Sequence, residues 1–332
     1  MSGTSEMERE LERFRADFDA LKSEIGKVIV GQEEAIEGVL MALVAGGHVL
    51  LEGLPGTGKT VLAQTLADVV DVGFQRIQCT PDLMPTDVIG TYVIMETAQG
   101  RRSFEFQRGP LFSNIVLAEQ INRTTPKTQS ALLEAMDEES ITVSTETFRL
   151  PQPFFLLATQ NPLEMEGTYP LPEAQIDRFF FKLVVRPPDG DELEEILDRT
   201  TEAEGPITRK IVDAGRIGEM GELVRKVPIA REVRRWGISV VAATQPDADQ
   251  APGSVKRFVR YGAGPRGAQA MVLAAKTRAI LEGRYNVSTG DLRSVCGAAL
   301  RHRLILNFEG HGENVSPDAI LDDVLGAVAK PG

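Results

Sequence analysis

The sequence contains few cysteines. Cys79 and Cys296 are the only two in 332 residues, and they stand far apart. Neither belongs to a C-x-x-C pair, so the spacing indicates no structural zinc site, and two cysteines cannot supply a disulfide framework. We therefore expect both to be small core residues.

Long apolar runs are also missing. No stretch approaches the roughly 20 consecutive apolar residues that cross a bilayer, and the charged N-terminus has no apolar segment of the kind found in signal peptides. The sequence predicts no membrane span and a cytoplasmic location.

The sequence contains fewer basic than acidic residues: 36 Lys and Arg against 48 Asp and Glu, which gives a net charge of −12. This balance disfavours a surface built to hold nucleic acid, although a local basic channel is compatible with an acidic protein. A nucleic-acid partner is therefore not expected. One basic cluster is predicted to be a solvated helix face, with a binding patch as the alternative; it comprises Arg225, Lys226, Arg231, Arg234 and Arg235.

What the sequence does contain is a phosphate-binding loop. Residues 53–60 read GLPGTGKT and match every position of G-x-x-x-x-G-K-[ST]. Glycines let backbone amides approach phosphates, Lys59 can reach the β and γ oxygens, and the Thr60 hydroxyl can ligate Mg²⁺. The predicted nucleotide contacts are Gly53, Pro55, Gly56, Thr57, Gly58, Lys59, Thr60 and Val61.

The surrounding pattern is that of an α/β fold. Apolar runs without strict alternation are typical of strands covered by helices on both faces, so we predict a parallel sheet. The strands are predicted at residues 48–51, 74–79, 115–118, 154–158 and 179–185. Amphipathic helices are predicted before the first strand, over residues 5–25 and around residues 36–44.

Two pairs of short runs predict β-hairpins inserted into this core. Residues 91–94 and 103–106 flank a turn at Gln99 and Gly100, and residues 141–143 and 148–150 flank a polar tip at residues 144–147. They are either surface decoration or working parts.

The composition changes at residues 186–190, where the sequence RPPDG breaks the sheet pattern. We predict three units: an N-terminal helix over residues 1–30, an α/β nucleotide-binding domain over 31–187, and a linker with a small all-helical domain over 188–332. Helices in the last unit are predicted at residues 192–203, 231–244, 266–281 and 289–303.

A carboxylate follows the third predicted strand. Residues 115–120 read IVLAEQ, so Glu119 ends an apolar strand where a carboxylate would hold Mg²⁺. A second carboxylate, which would orient and deprotonate the attacking water, is absent. Gln120 stands there, and an amide can hydrogen-bond a water molecule but cannot accept its proton.

Several longer motifs give the chain a specific resemblance. They are INR at residues 121–123, PKTQSALLEAM at 126–136, ATQNP at 158–162, EGTYPLPEAQ at 166–175 and DRF at 177–179. Together they resemble the MoxR family of AAA+ ATPases. The resemblance implies an AAA+ P-loop core with two hairpin inserts and a helical lid, a ring that is usually hexameric with ATP between subunits, and a partner protein bearing a von Willebrand factor A domain.

By that resemblance, three further residues take roles. Asn161 matches the polar sensor of the γ-phosphate, or is otherwise a turn residue before Pro162. Arg178 matches the arginine finger offered to the neighbour's ATP, with a surface salt bridge as the alternative. Arg266 matches the sensor arginine of the lid, acting on its own or a neighbour's nucleotide, or is otherwise an ordinary exposed arginine.

The chain departs from the family where Asp-Glu is usual and Glu119-Gln120 stands. Glu119 can still reach the metal shell, so we expect ATP binding with slowed hydrolysis, whether the substitution is natural or engineered. The predicted function is chaperone-like remodelling by an ATPase ring. The alternatives are a nucleotide-gated scaffold without turnover, Glu119 itself serving as the base, and a nucleic-acid translocase, which the acidity disfavours.

Overall fold

The computed structural model describes residues 2–96, 102–163, 167–201 and 205–329. The strands are β1 (Val49–Glu52), β2 (Phe74–Gln78), β3 (Gly90–Glu96), β4 (Arg102–Arg108), β5 (Ile115–Glu119), β6 (Ser140–Val143), β7 (Glu146–Arg149), β8 (Phe155–Gln160), β9 (Phe181–Val184), β10 (Val259–Tyr261) and β11 (Ile305–Leu306). The helices up to the linker are α1 (Ser2–Gly26), α2 (Glu33–Ala45), α3 (Lys59–Val70), α4 (Pro85–Ile89), α5 (Pro126–Glu138) and α6 (Glu173–Ile176). Those beyond it are α7 (Gly190–Thr201), α8 (Ala214–Lys226), α9 (Arg231–Ala243), α10 (Gly253–Phe258), α11 (Pro265–Leu281), α12 (Thr289–Leu300), α13 (Phe308–Gly312) and α14 (Pro317–Ala327).

The predicted parallel sheet is confirmed. Its five strands lie in the order β2-β5-β8-β1-β9, and every neighbouring pair is parallel. Because β8 lies between β5 and β1, the ends of all three strands meet at one edge of the sheet. That edge carries Glu119, the residues after Gln160, and the start of the phosphate loop after Glu52. Ligands of open α/β sheets bind at such a carboxyl edge.

Both faces of the sheet are covered, which explains why its three central strands, β1, β5 and β8, lack a polar alternation. The edge strand β2 differs, because three of its polar residues are exposed. Leu51, Leu117 and Leu157 point into one core together with the helices of the N- and C-terminal regions. Leu50, Val116 and Leu156 point into a second core on the other face. Successive side chains of a strand alternate between faces, so a strand between two cores is apolar at every position.

The first helix belongs to the first of these cores. The predicted amphipathic helix is present as α1, and its residues Phe14, Phe18 and Leu21 are at most 1% exposed. It packs against α2, α3 and α11. The two cysteines, Cys79 and Cys296, are also buried, as expected for small core residues.

Both predicted hairpins are present, as β3–β4 and β6–β7. The predicted turn at Gln99 and Gly100 lies outside the described residues. The hairpins contact each other through stacked rings: Phe106 of β4 lies 4.6 Å from Phe148 of β7, and Phe112 packs edge-on against both. The Tyr92 hydroxyl also donates to Glu146 at 2.9 Å. The two hairpins therefore form one packed unit.

Beyond the linker the chain is helical, and the four predicted helices correspond to α7, α9, α11 and α12. The pattern did not predict α8, α10, α13 and α14, nor a short antiparallel pairing of β10 with β11. The residues of the basic cluster are all exposed, but they lie on two helices, the end of α8 and the first turns of α9. None of the helices in the described ranges combines the length and apolarity needed to cross a bilayer.

A buried histidine joins the sheet to α5. The Nδ1 atom of His48 accepts a hydrogen bond from the backbone amide of Leu156 at 3.0 Å. Its Nε2 atom therefore carries the proton and donates to the carbonyl of Met136 at 3.2 Å. Burial lowers the pKa of His48 to about 4, because the charged form is poorly solvated there.

This pKa predicts an acid-sensitive fold. Between the folded pKa of about 4 and the unfolded value of 6.5, the unfolded chain binds more protons than the folded one, so stability falls as the pH is lowered through this range. At about pH 5, the burial of neutral His48 should lower the free energy of unfolding by about 2 kcal/mol relative to its value at neutral pH. Urea unfolding at both pH values measures this difference. In His48→Asn the unfolding free energy should differ less between the two pH values. In the control His311→Asn, which replaces an exposed histidine, the difference should equal that of the parent.

Candidate functional site

The loop at residues 53–60 connects β1 to α3, as its sequence predicts. Gly56 and Gly58 both have φ +80°, a left-handed conformation that only glycine adopts without strain, and a Cβ at either would meet no atom of the described residues within 4 Å. Gly53 is glycine for another reason, since a Cβ there would lie 2.6 Å from the carbonyl oxygen of Val185. The loop is thus pressed against the end of β9 and open on its other side.

That open side is a cavity of about 370 Å³ at the carboxyl edge of the sheet. It brings together all the predicted nucleotide contacts with Glu119, Gln120 and Asn161. Three residues that the sequence analysis missed also line it: Gln78, Thr159 and Gln160. Each lies at or next to the end of a core strand, and that position was the signal that could have identified them.

The loop offers positive potential to a ligand. Among the described residues, no side chain caps the N-terminus of α3, where Gly58 is the capping residue, so the first-turn amides are available to an anion. Lys59 Nζ donates to the carbonyls of Gly53 and Leu54 at 3.0 and 2.5 Å and to the Thr57 hydroxyl at 3.0 Å. Burial lowers the pKa of Lys59, and the charge of Glu119 opposes this shift.

Glu119 is held by two partners. The Thr60 hydroxyl donates to Oε1 of Glu119, and Nε of Arg76 lies 3.2 Å from Oε2. Arg76 lies on the neighbouring strand β2, and the sequence analysis did not identify it. A hydroxyl and a carboxylate in contact beside a phosphate loop form the oxygen donor set that Mg²⁺ prefers, so the residues present fit a magnesium-bound nucleotide.

Gln120 follows directly and has φ +54°, an unusual conformation for a residue with a side chain. Its backbone amide donates to the Thr159 hydroxyl at 2.9 Å, which ties the end of β5 to β8. Its side-chain oxygen accepts from Arg123 at 3.4 Å. Within the described part of the chain, Glu119 is the sole carboxylate that lines the cavity, so no second acid replaces the missing one.

Asn161 follows the last residue of β8 and is 8% exposed. Its Oδ1 atom accepts from the amide of Leu163 at 3.1 Å, which fixes the side chain in the turn that contains Pro162. The turn role and the cavity-lining position therefore coexist in one residue.

Arg178 and Arg266 are not part of this cavity. They line a second one, of about 290 Å³, on another side of the molecule. Nε of Arg178 lies 3.3 Å from Oδ2 of Asp137 in an ionic contact without hydrogen-bond geometry, and its Nη1 donates to the carbonyl of Leu133 at 3.0 Å. Nη2 of Arg266 donates to the same Oδ2 atom at 3.4 Å.

Two more charged residues, Asp177 and Arg303, lie beside Asp137, Arg178 and Arg266 in this second cavity, and the five form one charged cluster. Asp177 precedes Arg178, and its Oδ1 atom accepts from Nε of the buried Arg303 at 2.8 Å. Arg303 also donates to the carbonyl of Phe179 at 2.7 Å. The sequence analysis missed Asp137, Asp177 and Arg303; only Asp177 had a signal, its place beside Arg178 in the DRF motif.

Comparison with protein-family models finds two matches. The model of the ATPase family associated with various cellular activities (AAA) matches residues 48–181. The model of the AAA lid domain matches residues 254–324. The first range holds the phosphate loop, Glu119 and Arg178, and the second holds Arg266 and Arg303.

Individual relatives match over most of their length. The chain is 41% identical to Chaperone MoxR1 of Mycobacterium tuberculosis over 93% of this chain and 81% of that protein. It is 31% identical to Protein MoxR of Methylorubrum extorquens over 90% of each chain. Among solved structures, a crystal structure of a candidate ATPase from Cytophaga hutchinsonii shares 37% identity with a TM-score of 0.92, and the match covers 100% of both chains.

Proposed function

Because this chain belongs to the MoxR family of AAA+ ATPases, we propose that it binds ATP and Mg²⁺, assembles into a ring and remodels a partner protein. The observation that carries this proposal is the shared cavity of the phosphate loop, Glu119, Gln120 and Asn161. The first and last of these residues, Gly53 and Asn161, lie 108 positions apart in the sequence, and the sheet order brings them together.

The triphosphate would occupy the open side of the loop. We assign Gly56, Thr57 and Gly58 to phosphate contacts through their backbone amides, and Lys59 to the β and γ oxygens once its ammonium exchanges loop carbonyls for phosphate. Thr60 and Glu119 would hold Mg²⁺, which when bound neutralises charge on the β and γ phosphates. Asn161 would contact the γ-phosphate from the end of β8.

Arg178 and Arg266 would act on the nucleotide of a neighbouring subunit. Both lie outside their own subunit's nucleotide cavity and in one cluster, so a site that needs them must be completed by another copy of the chain. For Arg266, this favours action in trans over action in cis. A closed ring, which we infer to be a hexamer from the family, supplies that geometry at every interface.

We propose that ATP hydrolysis is slow because the cavity offers no free carboxylate to accept the proton of the attacking water. Gln120 cannot accept a proton, and Glu119 is engaged by Thr60 and Arg76, which argues against Glu119 taking that role. The alternative function, an ATP-gated scaffold that assembles without turnover, is favoured by the same observation. The two differ in rate, so measured turnover decides between them.

The moving parts would be the lid and the hairpin unit. Nucleotide state would change the contacts of Arg266 and rotate the lid, while the stacked hairpins would transmit the movement to a client. The family resemblance suggests a client with a von Willebrand factor A domain, and we propose a cytoplasmic site of action, where ATP is available.

Lys59→Ala should weaken ATP binding by about 10- to 100-fold, since it removes a charge-assisted contact worth roughly 1.5–3 kcal/mol. Isothermal titration calorimetry with ATP and Mg²⁺ measures the affinity. Lys256→Ala, an exposed lysine on α10, is the matched control and should bind ATP as the parent does.

Light scattering of the same samples tests assembly. We expect the parent's mass to rise with ATP and that of Lys59→Ala to stay unchanged at the same nucleotide concentration. A correctly folded parent chain that takes up no ATP would refute the proposed function altogether.

A further inference from the structure

One carboxylate joins the two arginines that lie outside the nucleotide cavity. Arg178 comes from the α/β core, just before β9, and Arg266 from the start of α11 in the helical region. Both place a guanidinium nitrogen within 3.4 Å of the same atom, Oδ2 of Asp137. Asp137 therefore spans the contact between the two parts of the molecule and brings two like charges side by side.

Local helix electrostatics do not favour this arrangement. Asp137 lies in the last turn of α5, where the negative end of the helix dipole repels a carboxylate, and Arg266 lies in the first turn of α11, where the positive end repels a cation. Each placement is unfavourable in an isolated helix. Pairing across the two helices offsets these costs, so the two charges depend on each other.

The other carboxylate of the cluster that pairs with an arginine, Asp177, is engaged mainly by Arg303. Asp177 pairs with the buried Arg303 at 2.8 Å and lies 4.0 Å from Nη1 of Arg266. Among the described residues of this cluster, Asp137 is thus the close counter-charge of both Arg178 and Arg266. Without it, two adjacent guanidinium groups would repel each other and separate.

The cluster is also accessible. The side chains of Asp137 and Arg178 are 32% and 30% exposed, and that of Arg266 is 48% exposed. The contacts of Arg178 use Nε and Nη1, which leaves Nη2 to donate to an incoming anion. A half-exposed ion pair contributes little to stability, so this geometry serves orientation more than folding.

We propose that Asp137 is a positioning residue for the arginine pair: it orients Arg178 and Arg266 so that both meet one phosphate group of the nucleotide in the neighbouring subunit. The inference rests on the proposed function, in which the two arginines act in trans. Because Asp137 links α5 to α11, it also makes the orientation of the Arg178 guanidinium depend on the position of the helical lid that contains α11.

The test is steady-state phosphate release by the full chain, in the parent or in the Gln120→Glu background, whichever turns over faster. Asp137→Asn should lower kcat by about 10- to 100-fold, the loss expected when a catalytic cation is displaced by about 1 Å. KM for ATP should change less than about twofold, since Asp137 lies outside the nucleotide cavity. A parent-like kcat would overturn the proposal.

Two variants serve as controls. Asp318→Asn removes another partly exposed carboxylate, which pairs with Arg301 at 3.0 Å, and it should leave kcat unchanged. Asp137→Glu keeps the charge and should retain at least about a third of the parent kcat. A loss as large as that of Asp137→Asn would contradict positioning by charge, and melting temperatures establish that each variant is folded.

A third comparison separates this inference from the function on which it rests. In a chain that already carries Arg178→Ala and Arg266→Ala, adding Asp137→Asn should lower kcat by less than about twofold, because the groups it positions are gone. If the two arginine changes alone leave kcat intact, the trans role is wrong. If they lower kcat while Asp137→Asn does not, only the role of Asp137 is wrong.

Discussion

Replacing Gln120 with glutamate will raise the rate of ATP hydrolysis by about 10²- to 10⁴-fold, the usual contribution of a general base. Gln120 lines the cavity at the end of β5, and its backbone is tied to Thr159 at 2.9 Å. A glutamate at this position would have the same length and the same anchoring. The change therefore adds a proton acceptor without moving the chain.

The measurement is the rate of phosphate release at saturating ATP. The double variant Lys59→Ala/Gln120→Glu gives the background rate. The matched control is Gln160→Glu, which also introduces a carboxylate into the cavity but at the end of β8. It should not increase turnover. Equal rates for the parent and Gln120→Glu would show that Gln120 is not the cause of slow hydrolysis.

Replacing Arg178 with alanine in the Gln120→Glu chain will lower kcat by about 10³- to 10⁵-fold, the range attributed to an arginine finger. A fixed guanidinium offsets the negative charge that develops during phosphoryl transfer. Arg178 does not line its own subunit's cavity, so under the proposed function its effect requires a neighbouring subunit. ATP affinity measured at the single subunit should stay within about twofold of the parent.

Mixing experiments isolate the trans effect. Subunits with Arg178→Ala retain an intact nucleotide cavity, and subunits with Lys59→Ala retain an intact Arg178. A mixture of the two should recover turnover that neither shows alone, because some interfaces combine both intact parts. Mixtures that stay inactive while assembling normally would rule out action between subunits. Arg76→Ala removes a partner of Glu119 within one subunit. Its mixture with Lys59→Ala subunits should recover no turnover, because neither kind of subunit then has an intact nucleotide cavity.

Features built from contiguous residues were predictable from the sequence. The phosphate loop is one, because its glycines, Lys59 and Thr60 have fixed chemistry at fixed spacing. The five core strands are another, since burial on both faces produces apolar runs that need no partner to be recognised. The amide beside the carboxylate was equally visible, because Gln120 follows directly after Glu119 at the end of such a run.

Helix α8 shows where pattern reading fails. Its sequence contains Gly215, Gly218 and Gly221, and glycine is among the weakest helix formers. The tertiary structure explains one of them: a Cβ at Gly221 would lie 2.8 Å from the carbonyl oxygen of Val44 in α2. The close approach of two helices thus overrides the local preference, and no window of sequence reveals the partner.

The local chemistry of this chain specified the phosphate-loop motif, a carboxylate at the end of a core strand, the amide that follows it, and the five core strands, because each depends on residues adjacent along the backbone. The partners of those residues depended on folding. Arg76 reaches Glu119 through the pairing of β2 with β5, and Arg266 meets Asp137 across 129 positions. Such contacts arise from strand order and helix packing, which are properties of the whole chain, so the shared carboxylate of the two arginines became visible only in three dimensions.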